Sequence, residues 1–316
     1  MDKLDIVWNL TKVCAYNCKI CCVNAIYAST PEVQLKIKEK EKQEGRELDM
    51  CAKLYVVDAL IRSCKRKVRF DFSGGDPLLF DEDRKVIEYA SKKIGKENIM
   101  ISGTGYNFNG DKLEFLKKYA GSIAFTIDRL PWINDPIRPR NYSLDSLNAL
   151  EKCTYTDIST KISTVLRSDV SVKELENLGD LIKRYPIVGW NLLRLHLAGR
   201  ARSYPNVLPS DSFYRHVHRL AVKIKDRDIP SFHHSFKNEC EAYKNMIGIL
   251  PDGKVLACCW ALDRNGNPVN DKFVLGKLPE QNLSEILNSD STKVWKNNHK
   301  PCKTDEYLLK NENKRN

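Results

Sequence analysis

The sequence has no run of 18 apolar residues, so no segment reads as a membrane-spanning helix. The N-terminus enters the apolar run Leu4 to Leu10 without the layout of a signal peptide, and a cytoplasmic location is the expectation. Basic residues are scattered among acidic ones, with no basic arm and no aromatic-plus-arginine platform, which argues against nucleic acid as the partner. Histidine is scarce, six in 316 residues and none before His196. Eleven cysteines are many for a cytosolic chain but too few for a disulfide scaffold.

What is present is an excess of positive charge and two groups of cysteines. The net charge of +11 suits an acidic partner, either an acidic peptide or a flavodoxin- or ferredoxin-type electron donor. The cysteines gather at 14, 18, 21 and 22, and again at 240, 258, 259 and 302. That distribution reads as two metal sites in a reducing compartment.

Between these groups the periodicity alternates. Strands are expected at Leu4 to Asn9, Val68 to Phe72, Ile99 to Ile101, Ile123 to Ile127, Ile158 to Leu166 and Val188 to Leu195. Helices are expected at Leu48 to Cys64, Asp83 to Ile94, Lys112 to Tyr119, Leu144 to Leu150 and Val172 to Ile182. Six strands joined by helices imply a parallel sheet, and a partial (β/α)6 TIM-like barrel fits. Chemistry in such barrels sits at the C-terminal ends of strands, where the first cysteine group falls. Residues 31 to 47, rich in Lys and Glu with no apolar stripe, read as a solvated helix or loop.

Cys14-Ala15-Tyr16-Asn17-Cys18-Lys19-Ile20-Cys21 offers three thiolates spaced to hold three irons of a [4Fe–4S] cube, leaving one iron open to a small molecule. Zinc sites more often pair two C-x2-C units or add histidines, and none is near. This loop closely resembles the signature of the radical SAM superfamily. The resemblance implies that S-adenosylmethionine (SAM) binds the open iron and yields a 5′-deoxyadenosyl radical that takes a hydrogen from substrate. Ser73-Gly74-Gly75-Asp76-Pro77 resembles the family's Gly-Gly-Glu-Pro stretch, which binds the SAM amino group; here Asp76 replaces the usual Glu. Ile20 stands where an aromatic residue often lies on the adenine, and keeps only an apolar contact. Ser102, Thr126 and Asp128, near the ends of the third and fourth strands, fall where family members contact the SAM carboxylate and ribose; capping and turn roles are open for them. Asn134-Asp135-Pro136-Ile137-Arg138 resembles the Asp-x-x-Arg of the SPASM subgroup. It suggests a local Asp135–Arg138 ion pair, with Ser143 as the following helix's N-cap. Gly199-Arg200-Ala201 resembles the turn leading out of the barrel. His196 just before it reads as a satisfied structural residue, with a substrate-facing role as the alternative.

Pro251-Asp252-Gly253 marks a hairpin between two apolar runs. Together with Cys240 and Cys258 it resembles the opening of SPASM and shortened "twitch" domains. The expected layout is a barrel over 1–200, a linker over 201–239, a twitch/SPASM-like auxiliary cluster domain over 240–302 and a frayed tail over 303–316. One auxiliary [4Fe–4S] cluster is implied, with Cys240, Cys258 and Cys302 as ligands. Twitch domains usually end in Cys-x2-Cys, whereas this chain has Cys302-Lys303-Thr304-Asp305. Asp305 is the expected fourth ligand, with Cys259 or an iron open to substrate as alternatives, and zinc as the alternative metal. Cys259 is then a thiol beside a cluster. Radical SAM epimerases of similar layout use such a cysteine to return hydrogen to the substrate radical from the opposite face. Cys22, Cys51, Cys64 and Cys153 read as packing residues.

The expectation is therefore a radical SAM enzyme acting on a natural-product substrate, a peptide or an aminoglycoside-like molecule, by epimerisation. The alternative is two-electron oxidation, an alcohol dehydrogenation or a peptide cross-link, with the auxiliary cluster accepting the second electron. A non-catalytic iron–sulfur electron carrier is a third reading, opposed by the Gly-Gly-Asp-Pro turn. The first strand begins almost at Met1, so the leader-binding winged-helix domain of many peptide-modifying relatives is not expected.

Overall fold

Alternation of apolar and polar residues makes Lys3–Thr11 the first strand, β1, with Leu4, Ile6, Trp8 and Leu10 fully buried. A computed structural model of the protein describes residues 3–64, 66–225, 232–234, 242–296 and 302–310, so the expected ligand Cys240 lies outside the described residues. Two short strands, β2 (Val13–Cys14) and β3 (Ile26–Tyr27), pair in parallel and bracket the cysteine loop. The chain continues through α1 (Pro31–Gln43), α2 (Met50–Ser63), β4 (Lys67–Gly74), α3 (Asp81–Ile94), β5 (Ile99–Gly103) and α4 (Gly110–Tyr119). It then forms β6 (Ser122–Thr126), α5 (Tyr142–Cys153), β7 (Ser159–Val165), α6 (Val172–Ile182) and β8 (Gly189–Leu193).

Strands β1, β4, β5, β6, β7 and β8 lie side by side in that order, all parallel, as six strand–helix alternations predict. Phe70, Phe72, Ile101, Ile123, Phe125, Ile162 and Trp190 share one core with the helices. The intervening residues, including Asp71, Ser73, Ser102, Thr126 and Lys161, project from the opposite face of the sheet. Helix starts follow side-chain capping: Asp49, Asn109 and Ser171 accept from the backbone N–H of Ala52, Lys112 and Glu174.

The sheet extends beyond six strands at both edges. After α7 (Asp211–Lys225), β9 (Phe232–His234) pairs in parallel with β8. On the other edge β10 (Met246–Ile249) pairs in parallel with β1, and β11 (Lys254–Leu256) and β12 (Val274–Lys277) follow antiparallel. The expected Pro251-Asp252-Gly253 hairpin therefore hangs beside the strand that feeds the cysteine loop. Helices α8 (Leu283–Asn288), α9 (Lys293–Lys296) and α10 (Lys303–Lys310) complete the described chain.

Several expectations change. The stretch 201–239, read as a linker, contains α7 and β9, and Tyr214, Val217, Leu220 and Ala221 of α7 are buried at helical spacing. The tail from 303 begins as α10, with Thr304 and Leu308 fully buried and Tyr307 edge-on to Phe273 at 5.7 Å. Residues 31 to 47 are not solvated throughout. Lys38 of α1 and Lys53 of α2 both bind Asp83 of α3, at 2.8 and 2.7 Å, and both bind Glu47. All four side chains are buried, and Thr11 at the end of β1 donates to Glu47 at 2.8 Å. Charge composition hides this because each buried charge is matched by an opposite one. Ser143 lies inside α5, whose N-cap is Asn141 in the left-handed region with no side-chain cap. Cys51 is exposed and Cys64 half-buried, while Cys153 is buried in the core.

Candidate functional site

The cysteine loop leaves the C-terminal end of β1 and is stitched to its neighbours by backbone. Gly75 N donates to Thr11 O at 2.7 Å and Asp76 N to Val13 O at 3.0 Å. A Cβ on Gly75 would lie 2.0 Å from Val13 O, and one on Gly74, at φ +120°, 2.5 Å from Thr11 O. The two glycines are thus demanded by the close approach of this turn to the cysteine loop, beyond any contact with a ligand. From the far side, Arg200 donates through its backbone N–H to Cys21 O at 2.9 Å and through its side chain to Cys18 O at 2.8 Å and Ala25 O at 2.6 Å.

Cys14, Cys18 and Cys21 line one cavity of about 250 Å³. Its walls include Ile20, Gly74, Gly75, Ser102 and Thr126, together with Tyr16, Arg138 and Tyr142. The C-terminal side contributes His196 and Trp260. Burial pushes the Cys14 thiol well above its ordinary value, with Asp76 adding to the rise. Burial also raises Cys18, against a lowering pull from Arg138. Thiols so placed ionise readily only with a cation among them, and cluster iron supplies one. Tyr16 N–H donates to Cys14 Sγ at 3.4 Å and Ala25 N–H to Cys21 Sγ at 3.3 Å, a cradle for thiolate sulfur. The three thiols and their donors fit an iron–sulfur cluster.

Other residues singled out in the sequence stand differently. Ile20 is on the cavity wall and packs with Ile137, Leu195 and Ala201. Asp76 is buried, accepts from Thr104 Oγ1 at 2.6 Å and Leu78 N at 2.9 Å, and is not among the wall residues; Pro77 is buried beside it. Asp128 is buried too, accepting from Arg138 Nε and Val165 N, each at 2.7 Å. The expected Asp135–Arg138 pair is exchanged: Arg138 goes to Asp128, and Asp135 takes two donors of Arg167, each at 3.0 Å. Those partners sit on adjacent strand ends, which local spacing along the chain does not reveal. Ser102 donates to Asp71 Oδ1 at 2.9 Å, and burial raises the Asp71 carboxyl to about 6.

Cys258 and Cys259 follow β11 and are buried. Cys259 packs on β10 at Gly248, where a Cβ would fall 2.8 Å from the Cys259 Cα. Cys22 and Trp260 are on the cavity wall, and Cys259 is not among the residues that line it. Burial pushes the Cys259 thiol well up, with Cys258, Cys22 and Asp71 adding to the rise. A nitrogen of His196, the sulfur of Cys302 and a carboxylate oxygen of Asp305 lie within 4.8 Å of one another. Sequence reasoning missed Arg200 as the clamp on the loop, and Asp71 and Trp260. Arg200 sits inside the Gly-Arg-Ala turn and Trp260 directly follows the paired cysteines, so both lay within recognised motifs.

A family model for the radical SAM superfamily matches residues 8–182, and one for the SPASM iron–sulfur cluster-binding domain matches residues 240–305. The chain belongs to the radical SAM superfamily, with a SPASM domain at its C-terminal end. Membership implies a SAM-binding [4Fe–4S] cluster and an auxiliary cluster. No curated protein matches the sequence. Among solved structures, SuiB from Streptococcus suis bound to precursor peptide SuiA aligns with TM-score 0.67 at 13% identity. That alignment covers 92% of this chain and 65% of SuiB, so the chain spans just under two thirds of that relative. anSMEcpe with bound AdoMet and Kp18Cys peptide aligns with TM-score 0.65 at 13% identity, over 93% of this chain and 82% of that one. At these identities the likeness is one of fold: a parallel α/β sheet carrying a C-terminal iron–sulfur domain. Among the described residues, no helix is long and apolar enough to cross a membrane.

Proposed function

We propose that this radical SAM enzyme inverts a carbon centre of a natural-product substrate, with Cys259 as the hydrogen donor. The carrying observation is that the tandem Cys258-Cys259 leads directly into Trp260, which lines the cavity of the three loop thiols, and that Cys259 neighbours Cys22, another residue of that lining. Trp260 is on the wall, and Cys259, next to it in the chain, packs against Gly248. When bound, the cluster and SAM supply a 5′-deoxyadenosyl radical that removes a hydrogen atom from substrate carbon. Gly74, Gly75, Ser102 and Thr126 border the space for SAM, and Arg138 places a cation there. The Cys259 thiol gives its hydrogen atom to the carbon from the other face. The resulting thiyl would regain one proton from solvent and one electron from an external flavodoxin-type donor. The peptide complexes of SuiB and anSMEcpe favour a peptide substrate over an aminoglycoside-like one only as an analogy of fold.

A second reading, two-electron oxidation, draws support from His196, which touches both the cavity and the Cys302–Asp305 group. Turnover in deuterium oxide separates the two. An exchangeable thiol donor puts one deuterium on the inverted carbon, and Cys259→Ala still makes 5′-deoxyadenosine but no epimer. An oxidised product with no solvent deuterium, made equally well by Cys259→Ala, defeats the epimerase reading.

A further inference from the structure

The thiol that normally closes a Cys-x2-Cys pair is Asp305 here, and the surroundings of its carboxylate are unusual for an iron ligand. Asp305 Oδ1 lies 2.6 Å from His196 Nδ1, and Oδ2 lies 3.2 Å from Arg194 Nε. Both carboxylate oxygens are therefore engaged by groups from the segment after β8. A ligating histidine commonly gives its other ring N–H to a carboxylate, which fixes the tautomer and strengthens the nitrogen as a donor. Nδ1 on Asp305 leaves Nε2 as the nitrogen for a metal, and one ring nitrogen of His196, the Cys302 sulfur and a carboxylate oxygen of Asp305 lie within 4.8 Å of one another. Imidazole is also a better match to iron than a hard carboxylate held by an arginine. Asp305 is fixed in turn by the docking of α10, whose Thr304 and Leu308 are fully buried.

We propose that His196 is a ligand of the auxiliary cluster through Nε2, with Asp305 as the residue that orients it and Arg194 as the residue that holds Asp305. The barrel then supplies one ligand and the SPASM domain the thiolates. His196 also lines the cavity and stands edge-on to Trp260 at 5.8 Å, so the cluster is joined to the substrate space by one ring. Replacing thiolate by histidine raises the potential of an iron–sulfur centre, which suits this cluster to accept an electron. The assignment rests on family membership and holds whichever reaction the cavity carries out.

The test uses the full chain with Cys14→Ala, Cys18→Ala and Cys21→Ala together, without SAM, so that only the auxiliary cluster loads. The protein carries histidine labelled with heavy nitrogen, and the reduced cluster is read by pulsed electron paramagnetic resonance. A histidine nitrogen coupling is expected. It disappears in His196→Ala and in His196→Cys, the latter keeping its cluster through a thiolate and shifting its midpoint potential downward. Asp305→Asn keeps the coupling. No iron cluster in the parent, no nitrogen coupling, or a coupling that survives His196→Ala overturns the assignment.

Discussion

The two cysteine regions are built by opposite means. The first places three thiols within eight residues of chain, and backbone bonds from Gly75, Asp76 and Arg200 hold that loop to the strand ends around it. In the second, Cys258 follows a hairpin, while Cys302 at the foot of a helix meets His196 and Asp305, and Arg194 joins Asp305 from the segment after β8. A site assembled from one loop resists change outside that loop. Groups assembled from distant pieces can be exchanged one at a time, and here Asp305 stands where a Cys-x2-Cys pair would have its second cysteine. SAM chemistry needs one fixed geometry, which suits the first construction. Reaction outcome varies across a family, which suits the second.

Substitutions sharpen this contrast, beginning with the most severe. Cys14→Ala, Cys18→Ala or Cys21→Ala should each reduce 5′-deoxyadenosine formation from SAM and dithionite to background, whereas Cys302→Ala should leave uncoupled SAM cleavage measurable. The frame under the first loop comes next. Lys38→Met leaves Glu47 and Asp83 with one lysine between them, and removing one partner of a buried ion pair costs about 3–5 kcal/mol in denaturant titrations. Arg200→Ala removes charged donors to Cys18 O and Ala25 O, a loss of roughly 1.5–3 kcal/mol. It should lower iron content at the first site more than at the second.

The smallest effect is one of pH. Asp71 titrates at about 6 in the folded protein, against roughly 3.9 in the unfolded chain. Its folded state binds more protons between those values, so its ionisation lowers stability as pH rises through that window and the cost stays constant above it. Asp71→Asn removes the cost. Its Tm relative to the unaltered protein should therefore be higher near neutral pH than near pH 4, by roughly a few degrees. A difference that is flat with pH would place Asp71 in water.

Much of the barrel was legible because its signals are local. Strand alternation, helix caps at Asp49, Asn109 and Ser171, and the C-x3-C-x2-C spacing all lie within a few residues of one another. What escaped depends on matches between distant parts. The Lys38–Glu47–Asp83–Lys53 cluster looks like surface charge until three helices bring it together. The α10 segment looks like a tail because its buried Thr304 and Leu308 are too few to show a pattern. Arg138 and Asp135 take partners on neighbouring strand ends rather than each other. In the C-terminal part the hairpin was readable, but the contact of His196 with Asp305 depends on α10 bringing that residue to it.

The central claim is that one chain holds two iron sites with separate duties. Iron content and 5′-deoxyadenosine formation, measured side by side on the reconstituted protein and on the triple Cys14→Ala, Cys18→Ala, Cys21→Ala variant, test it most directly. The account predicts about eight irons per chain falling to about four, with deoxyadenosine lost entirely. A variant that binds no iron, or one that still cleaves SAM, would contradict it.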